Sequence, residues 1–241
     1  MVDAGPPLAS PALAATYFLD TESDVVRAFV DAHVTADMAP RKRATALFRA
    51  VRDGIRYDPY DVPRDASAYR ASQILARPAG FCVPKAIALC AVARAAGIPA
   101  RLGFADVTNH LATPNLLRAL GTNIFAFHGY VELEVDGRRV KATPAFDRRL
   151  CQWFRVDPLE FDGEHDAVLQ PTTHDGVRFM EYLHDYGLFD DFPADKMVEV
   201  WKRVYPHFFA EDGSVQVFNG DFAREARGEV DGRAARADST S

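Results

Sequence analysis

Apolar positions recur along the chain at two spacings, and each spacing predicts a different kind of element. After Thr21 or Ser23, either of which can cap a helix, Val25, Val26, Phe29, Val30 and Val34 fall on one helical face. A second helix starts at Pro40 and carries the stripe Ala44, Leu47, Phe48 and Val51. It ends at Asp53-Gly54, before a short strand-like Ile55-Arg56-Tyr57. A loop rich in Asp and Pro runs to about Arg64; helical spacing then returns from Ser67 to Leu75, breaks at Pro78 to Gly80, and resumes at Cys82. From Cys82 to Ala96 almost every residue is apolar, which predicts a helix buried on all sides. Gly97 stops it, and Ile98 to Val107 reads as a strand entering the core.

A polar stretch from Thr108 to Gly121, with a short helix at Asn115 to Leu120, precedes the clearest β signal. From Phe127 to Val135 the chain alternates, with Gly129, Val131, Leu133 and Val135 on one face and His128, Tyr130, Glu132 and Glu134 on the other. Asp136-Gly137 makes a two-residue hairpin turn. That turn sets the register: Glu134 faces Arg139, Glu132 faces Lys141, Leu133 faces Val140 and Val131 faces Ala142. Beyond Asp147 the pattern weakens to loops and short strands, and a helix over about Asp195 to Phe209 closes the globule. Residues 1–16 are expected to form a loose leader, 17–218 a single domain, and 219–241, with little but Phe222 to bury, a disordered tail.

Composition narrows the class. The 241 residues are 48% apolar and 26% charged, which fits one large globular domain and excludes disordered and fibrous classes. The longest uncharged apolar run, Ala86 to Ala93, falls far short of the roughly 20 residues that span a bilayer, so no membrane association is expected. Acidic residues number 34 against 28 basic ones, with no dense basic block, so nucleic acid is not an expected partner. The first residues lack a basic segment followed by an apolar one, and the expected location is the cytoplasm. Cys82, Cys90 and Cys151 show no paired spacing and are expected to be free thiols.

Among these thiols Cys82 stands apart. Gly80-Phe81-Cys82-Val83-Pro84 puts it in a first helical turn, where free backbone N–H groups and the helix dipole favour a thiolate, so its pKa is expected below the ordinary value. An isolated cysteine is more often a small buried hydrophobe, and Cys90 fits that description, about 12 Å further along the same helix. Cys151 has no assigned role. His128 lies at the end of the hairpin, where a helix start packed on the sheet can bring a thiol to it. Thr143 and Asp147 are the two residues of the partner strand and its continuation placed to orient the imidazole. Asp106, Asn109 and His110 read as a polar turn. His165, His174 and His184 lack metal-ligand spacing, and no glycine-rich phosphate loop is present, so neither a metal nor another cofactor is expected.

The stretch SQILARPAGFCVPKAIALCAVARAAGIPARLGFADV, followed by HGYVELEVDGRRVKATPAFD, resembles bacterial transglutaminase-like proteins of the papain-like cysteine-enzyme superfamily over roughly Tyr69 to Asp147. The resemblance rests on the Gly-Phe-Cys turn, the helix ending Arg94 to Arg101, and the histidine hairpin with its Asp-Gly turn. It implies an α+β fold in which the nucleophile helix packs on an antiparallel sheet, with additional N-terminal and C-terminal helices. It also implies Cys82 as nucleophile and His128 as general base and acid. The family's third residue, an Asp fifteen positions after the histidine, falls on Thr143; Asp147 is the carboxylate expected to replace it, with Thr143 the alternative. The implied activity is acyl transfer through a thioester on an amide or ester of a peptide, protein or small molecule, ending in hydrolysis or transfer to an amine. Two rivals share these features: an arylamine N-acetyltransferase-like enzyme, and a binding module that keeps the fold without the chemistry.

Overall fold

The computed structural model describes residues 10–110, 112–170, 172–211 and 220–228. Seven helices and six strands carry the argument. The helices are α1 (Asp24–His33), α2 (Pro40–Gly54), α3 (Ala71–Leu75), α4 (Cys82–Ala95), α5 (Pro114–Leu120), α6 (Arg148–Phe154) and α7 (Ala194–Val204). The strands are β1 (Arg56–Tyr57), β2 (Ala79–Gly80), β3 (Ala100–Asn109), β4 (Ile124–Val135), β5 (Arg138–Ala142) and β6 (Met180–Phe189). β1 and β2 pair in parallel, and the other four form an antiparallel sheet in the order β5-β4-β3-β6. The fold is α+β, with α4 packed on the sheet. No helix among the described residues is long and apolar enough to cross a membrane.

α4 is the axis of the molecule. Every residue from Cys82 to Arg94 is buried, because α1, α2 and α3 cover the helix on one side while β3 and β4 cover it on the other. Two cations are enclosed with it. Lys85 Nζ donates to the carbonyl oxygens of Arg52 and Ile55 at the end of α2, and the Arg94 guanidinium donates to those of Ala14, Ala100 and Asp190. Each buried cation thus has its donors met by backbone carbonyls. The helix ends as its sequence predicts, with Gly97 at a φ of 77° and Ile98 N donating back to Ala93 O.

The hairpin keeps the predicted register, from Val131 opposite Ala142 to Glu134 opposite Arg139. Asp136 and Gly137 both have positive φ, which suits the right-handed twist of the strands they join. Beyond the hairpin the alternation breaks. β4 starts at Ile124 and carries an extra residue opposite Asp106, where Phe127 takes a φ of 62°. Asp106 Oδ1 accepts from Phe127 N, and Tyr205 OH accepts from Ala126 N while donating to Ile124 O. This accounts for Asp106: it holds a bulge.

Four expectations need correction. The Ser67 to Leu75 helix is two pieces, a 3₁₀ turn at Ala66–Tyr69 and then α3, because Phe18 O and the Asp20 carboxylate take the N–H groups of Ala71 and Ser72. The helix expected to reach Phe209 stops at Val204, ahead of Pro206. The tail does not begin at 219: residues 222–228 are helical, with Phe222 and Ala226 buried. Phe222 packs edge-on against Tyr57 and Tyr60, while Glu225 accepts from Tyr60 OH, Thr113 Oγ1 and Asn115 Nδ2. Two apolar residues and one acid suffice to dock a turn that composition alone marks as solvated. The leader likewise packs from Ser10 onward, with Ala12 buried and Thr16 Oγ1 bonded to Asp191; residues 1–9 and 229–241 lie outside the described residues. Phe222→Ala is expected to cost about 2 to 3 kcal/mol, read from chemical denaturation, and ending the chain at residue 218 at least as much.

Candidate functional site

Cys82 opens α4 directly after β2, whose Gly80 pairs with Tyr57 of β1. The approach of β4 to this turn is set by Gly129. A Cβ there would lie 2.9 Å from Ala86 Cβ, 3.2 Å from Cys82 O and 3.3 Å from Val83 Cα, so only a residue without a side chain lets the sheet reach the helix start. The N–H groups of Gly129, Val83 and Cys82 bear on the sulfur and favour its ionised form. Burial outweighs them and pushes the thiol up to about 11. The expected depressed pKa is therefore reversed, because the same packing that delivers the N–H groups removes water from the sulfur. Alkylation of Cys82 by iodoacetamide should accordingly keep accelerating from pH 9 towards 11, where an exposed thiol would already have levelled off. A plateau near the ordinary pKa of about 8.5, followed by mass spectrometry of the Cys82 peptide, would contradict this environment.

His128, the next residue back along β4, is buried, and burial holds its imidazole down at about 4. Among the described residues its Nδ1 has no hydrogen-bond partner, and neither does Thr143 Oγ1, which is also buried; alternation along β4 turns the ring to the face opposite Gly129, away from α4. Thr143 follows directly on β5, whose register ends at Val131 opposite Ala142, and its N–H donates to Ala167 O.

Asp147 is employed elsewhere. One carboxylate oxygen caps α6 by accepting from Leu150 N at 3.0 Å, and the other accepts from Tyr57 N at 2.8 Å. The bonds formed by Asp147 do not include one to His128. Sequence reasoning missed this use although the signal was present: an Asp followed by Leu150, Cys151 and Phe154 at helical spacing is a capped helix. Cys90 is fully buried in α4; Cys151 is buried in α6, with Gln170 Nε2 at 3.8 Å from its sulfur. His110 bonds Glu181 at the surface, His165 bonds Asp162, His174 bonds Asp157, and His184 packs edge-on against Tyr186.

Cys82 faces a small apolar pocket, about 50 Å³, between the start of α4, the bulge of β4, α5 and α7. Its walls include Tyr57, Leu120, Phe125, Trp201, Tyr205 and Phe208, with no charged side chain among the lining residues; His128 is not one of them. No local pattern marks this pocket, since its walls come from five separate stretches, 57–62, 81–82, 116–120, 125–126 and 201–208.

The description transglutaminase-like superfamily matches residues 27–158, more than half of the chain, and the chain belongs to that superfamily. Two solved structures are similar in part. A Cytophaga hutchinsonii protein provisionally described as a cysteine protease has 15% identity and a TM-score of 0.43 over 57% of this chain and 43% of its own. A Parabacteroides distasonis protein provisionally described as a protease has 19% identity and a TM-score of 0.36 over 54% and 26%. The chain thus spans less than half the length of either. No curated protein matches.

Proposed function

We propose that the protein is a cysteine-dependent acyl-transfer enzyme in which Cys82 attacks the carbonyl carbon of an amide or ester. The observation that carries this reading is the contact of Gly129 with the first turn of α4, which brings the strand of His128 onto the N–H-rich start of the Cys82 helix. Burial raises the thiol to about 11 and lowers the imidazole to about 4, and both shifts favour a neutral pair at rest. The proton therefore leaves sulfur as the S–C bond forms, and the carbonyl π pair moves to oxygen, where the N–H of Cys82 can donate; the family resemblance assigns the proton to His128, which must turn from the face of β4 opposite Gly129 to receive it. Collapse of that intermediate breaks the C–N or C–O bond, His128 returns the proton to the leaving group, and a thioester remains for water or an amine. Thr143, with its buried unengaged hydroxyl, is favoured over Asp147 as the group that orients the imidazole.

The lack of a carboxylate bonded to His128 favours a second reading, a binding module with the same fold. Acid-quenched mass spectrometry after incubation with p-nitrophenyl esters separates the two. The enzyme reading expects an acyl group on Cys82 and nitrophenol release, lost in Cys82→Ala and reduced at least 100-fold in His128→Gln. Absence of any Cys82 adduct, in a protein whose Cys82 still reacts with a small disulfide-forming reagent, supports the module.

A further inference from the structure

Cys82 is shut in. The residue is 6% exposed, and the pocket it faces measures about 50 Å³, well below the roughly 150 Å³ of a cavity that admits a benzene ring. Any substrate group larger than a few atoms must therefore move the walls before it meets the sulfur. On one side those walls are the loop carrying Tyr57 and Tyr60 and the helix α5, which supplies Leu116 and Leu120. The two meet directly where Asn115 Nδ2 donates to Tyr60 OH at 3.0 Å, and the C-terminal turn ties them further. Residues 222–228 are helical, and Glu225 within them reaches both walls. Its Oε2 accepts from Tyr60 OH on the loop at 2.8 Å and from Thr113 Oγ1, the cap of α5, at 2.7 Å; its Oε1 accepts from Asn115 Nδ2 at 2.7 Å. One carboxylate thus joins two walls of the pocket. Phe222 backs the loop, with its ring edge-on to Tyr57 and Tyr60 and tilted against Phe154 of α6. The chain enters the turn pressed on the same loop, since a Cβ at Gly220 would lie 2.3 Å from the Tyr60 ring.

We infer that residues 220–228 are a latch: docked through Phe222 and Glu225, they hold the pocket closed over Cys82, and their release is what opens the thiol to a substrate. The turn is built to come away before the core does. It buries only Phe222 and Ala226, whereas α4 is enclosed along its length between helices and sheet. The Glu225 carboxylate is held by neutral donors, two hydroxyls and an amide, so on release it exchanges those bonds for water without breaking an ion pair. Release also removes the one group that bonds both the loop and the cap of α5, which frees Tyr57 and Tyr60 to move away from Leu116 and Leu120. The inference concerns access to Cys82 and holds whether the protein is an acyl-transfer enzyme or a binding module.

Iodoacetamide labelling of the whole chain tests this, with peptide mass spectrometry to follow Cys82 and Cys90 separately. Cys90 is fully buried within α4 and reports global unfolding. Glu225→Ala removes all three bonds at a half-buried helical position that alanine suits, and should speed Cys82 labelling at pH 8 by about ten-fold or more while Cys90 keeps its wild-type rate. Phe222→Ala should speed Cys82 further, again ahead of Cys90. In both variants the pH dependence should also move. Water that reaches the sulfur relieves the burial that raises its pKa, so the rise in rate should shift down from about 11 towards the ordinary thiol range. If the turn merely stabilised the fold, Cys82 and Cys90 would accelerate together with the Cys82 pH profile unmoved. That result overturns the inference, and so does a Cys82 rate unchanged in both variants. Because labelling involves no acyl chemistry, either outcome leaves the acyl-transfer reading to be decided by the ester experiment.

Discussion

Gly129→Val is expected to be among the most damaging single substitutions in the protein, at about 3 kcal/mol or more. The added atoms meet Cys82 O and Val83 Cα, which are backbone, as well as Ala86 Cβ, so no side-chain rotation makes room and α4 must lift from β4. Gly129→Ala meets the same atoms with one carbon and should cost about 1 to 2 kcal/mol. Adding Ala86→Gly to it removes the closest contact, and the pair should recover part of that loss in a double-mutant cycle of urea midpoints. A Gly129→Val protein with wild-type stability would mean that the sheet does not press on the helix start. Because the thiol environment is built by this contact, the Gly129 variants should also alter the pH dependence of Cys82 alkylation.

Lys85→Ala should cost about 4 kcal/mol. It leaves a cavity beside the first turn of α4 and strips Arg52 O and Ile55 O of their donor. Lys85→Met keeps most of the volume and loses only the ammonium, so its cost should be less than half as large. Burial holds the Lys85 pKa down at about 7 against an ordinary 10.5. The sign follows: between those values the unfolded chain binds a proton that the folded protein has released, so this group makes stability rise with pH above 7 and withdraws it as pH falls through 7. Stability measured from pH 6 to 8.5 should therefore climb more steeply in the wild type than in Lys85→Met. Parallel curves would show that the lysine keeps its proton throughout.

Much of this architecture was legible in the chain because it obeys local rules. The unbroken apolar run from Cys82 to Ala96 has only one stable setting, enclosure between helices and sheet, and Asp136-Gly137 admits only one short register for the strands it joins. What escaped was decided by distant partners. The bulge at Phe127 depends on Asp106, Tyr186 and Tyr205 converging from three elements, and the docking of Phe222 depends on rings at positions 57, 60 and 154. For Cys82, the helix start was correctly read as favouring the thiolate; the desolvation that overrides it belongs to the assembled core. Asp147 was an ambiguity of another sort, since a carboxylate near a catalytic register and a carboxylate before a helix look identical until the backbone donors around it are known.

The bulge in β4 also makes chain length a determinant of the cavity. Deleting one residue between Ile124 and His128 would restore plain alternation and turn Ile124 and Phe125 to the opposite faces of the strand, removing Phe125 from the cavity wall while leaving every other residue type unchanged. An insertion or deletion at this point is therefore a coarse control on the shape of the pocket beside Cys82, and one that no series of point substitutions reproduces.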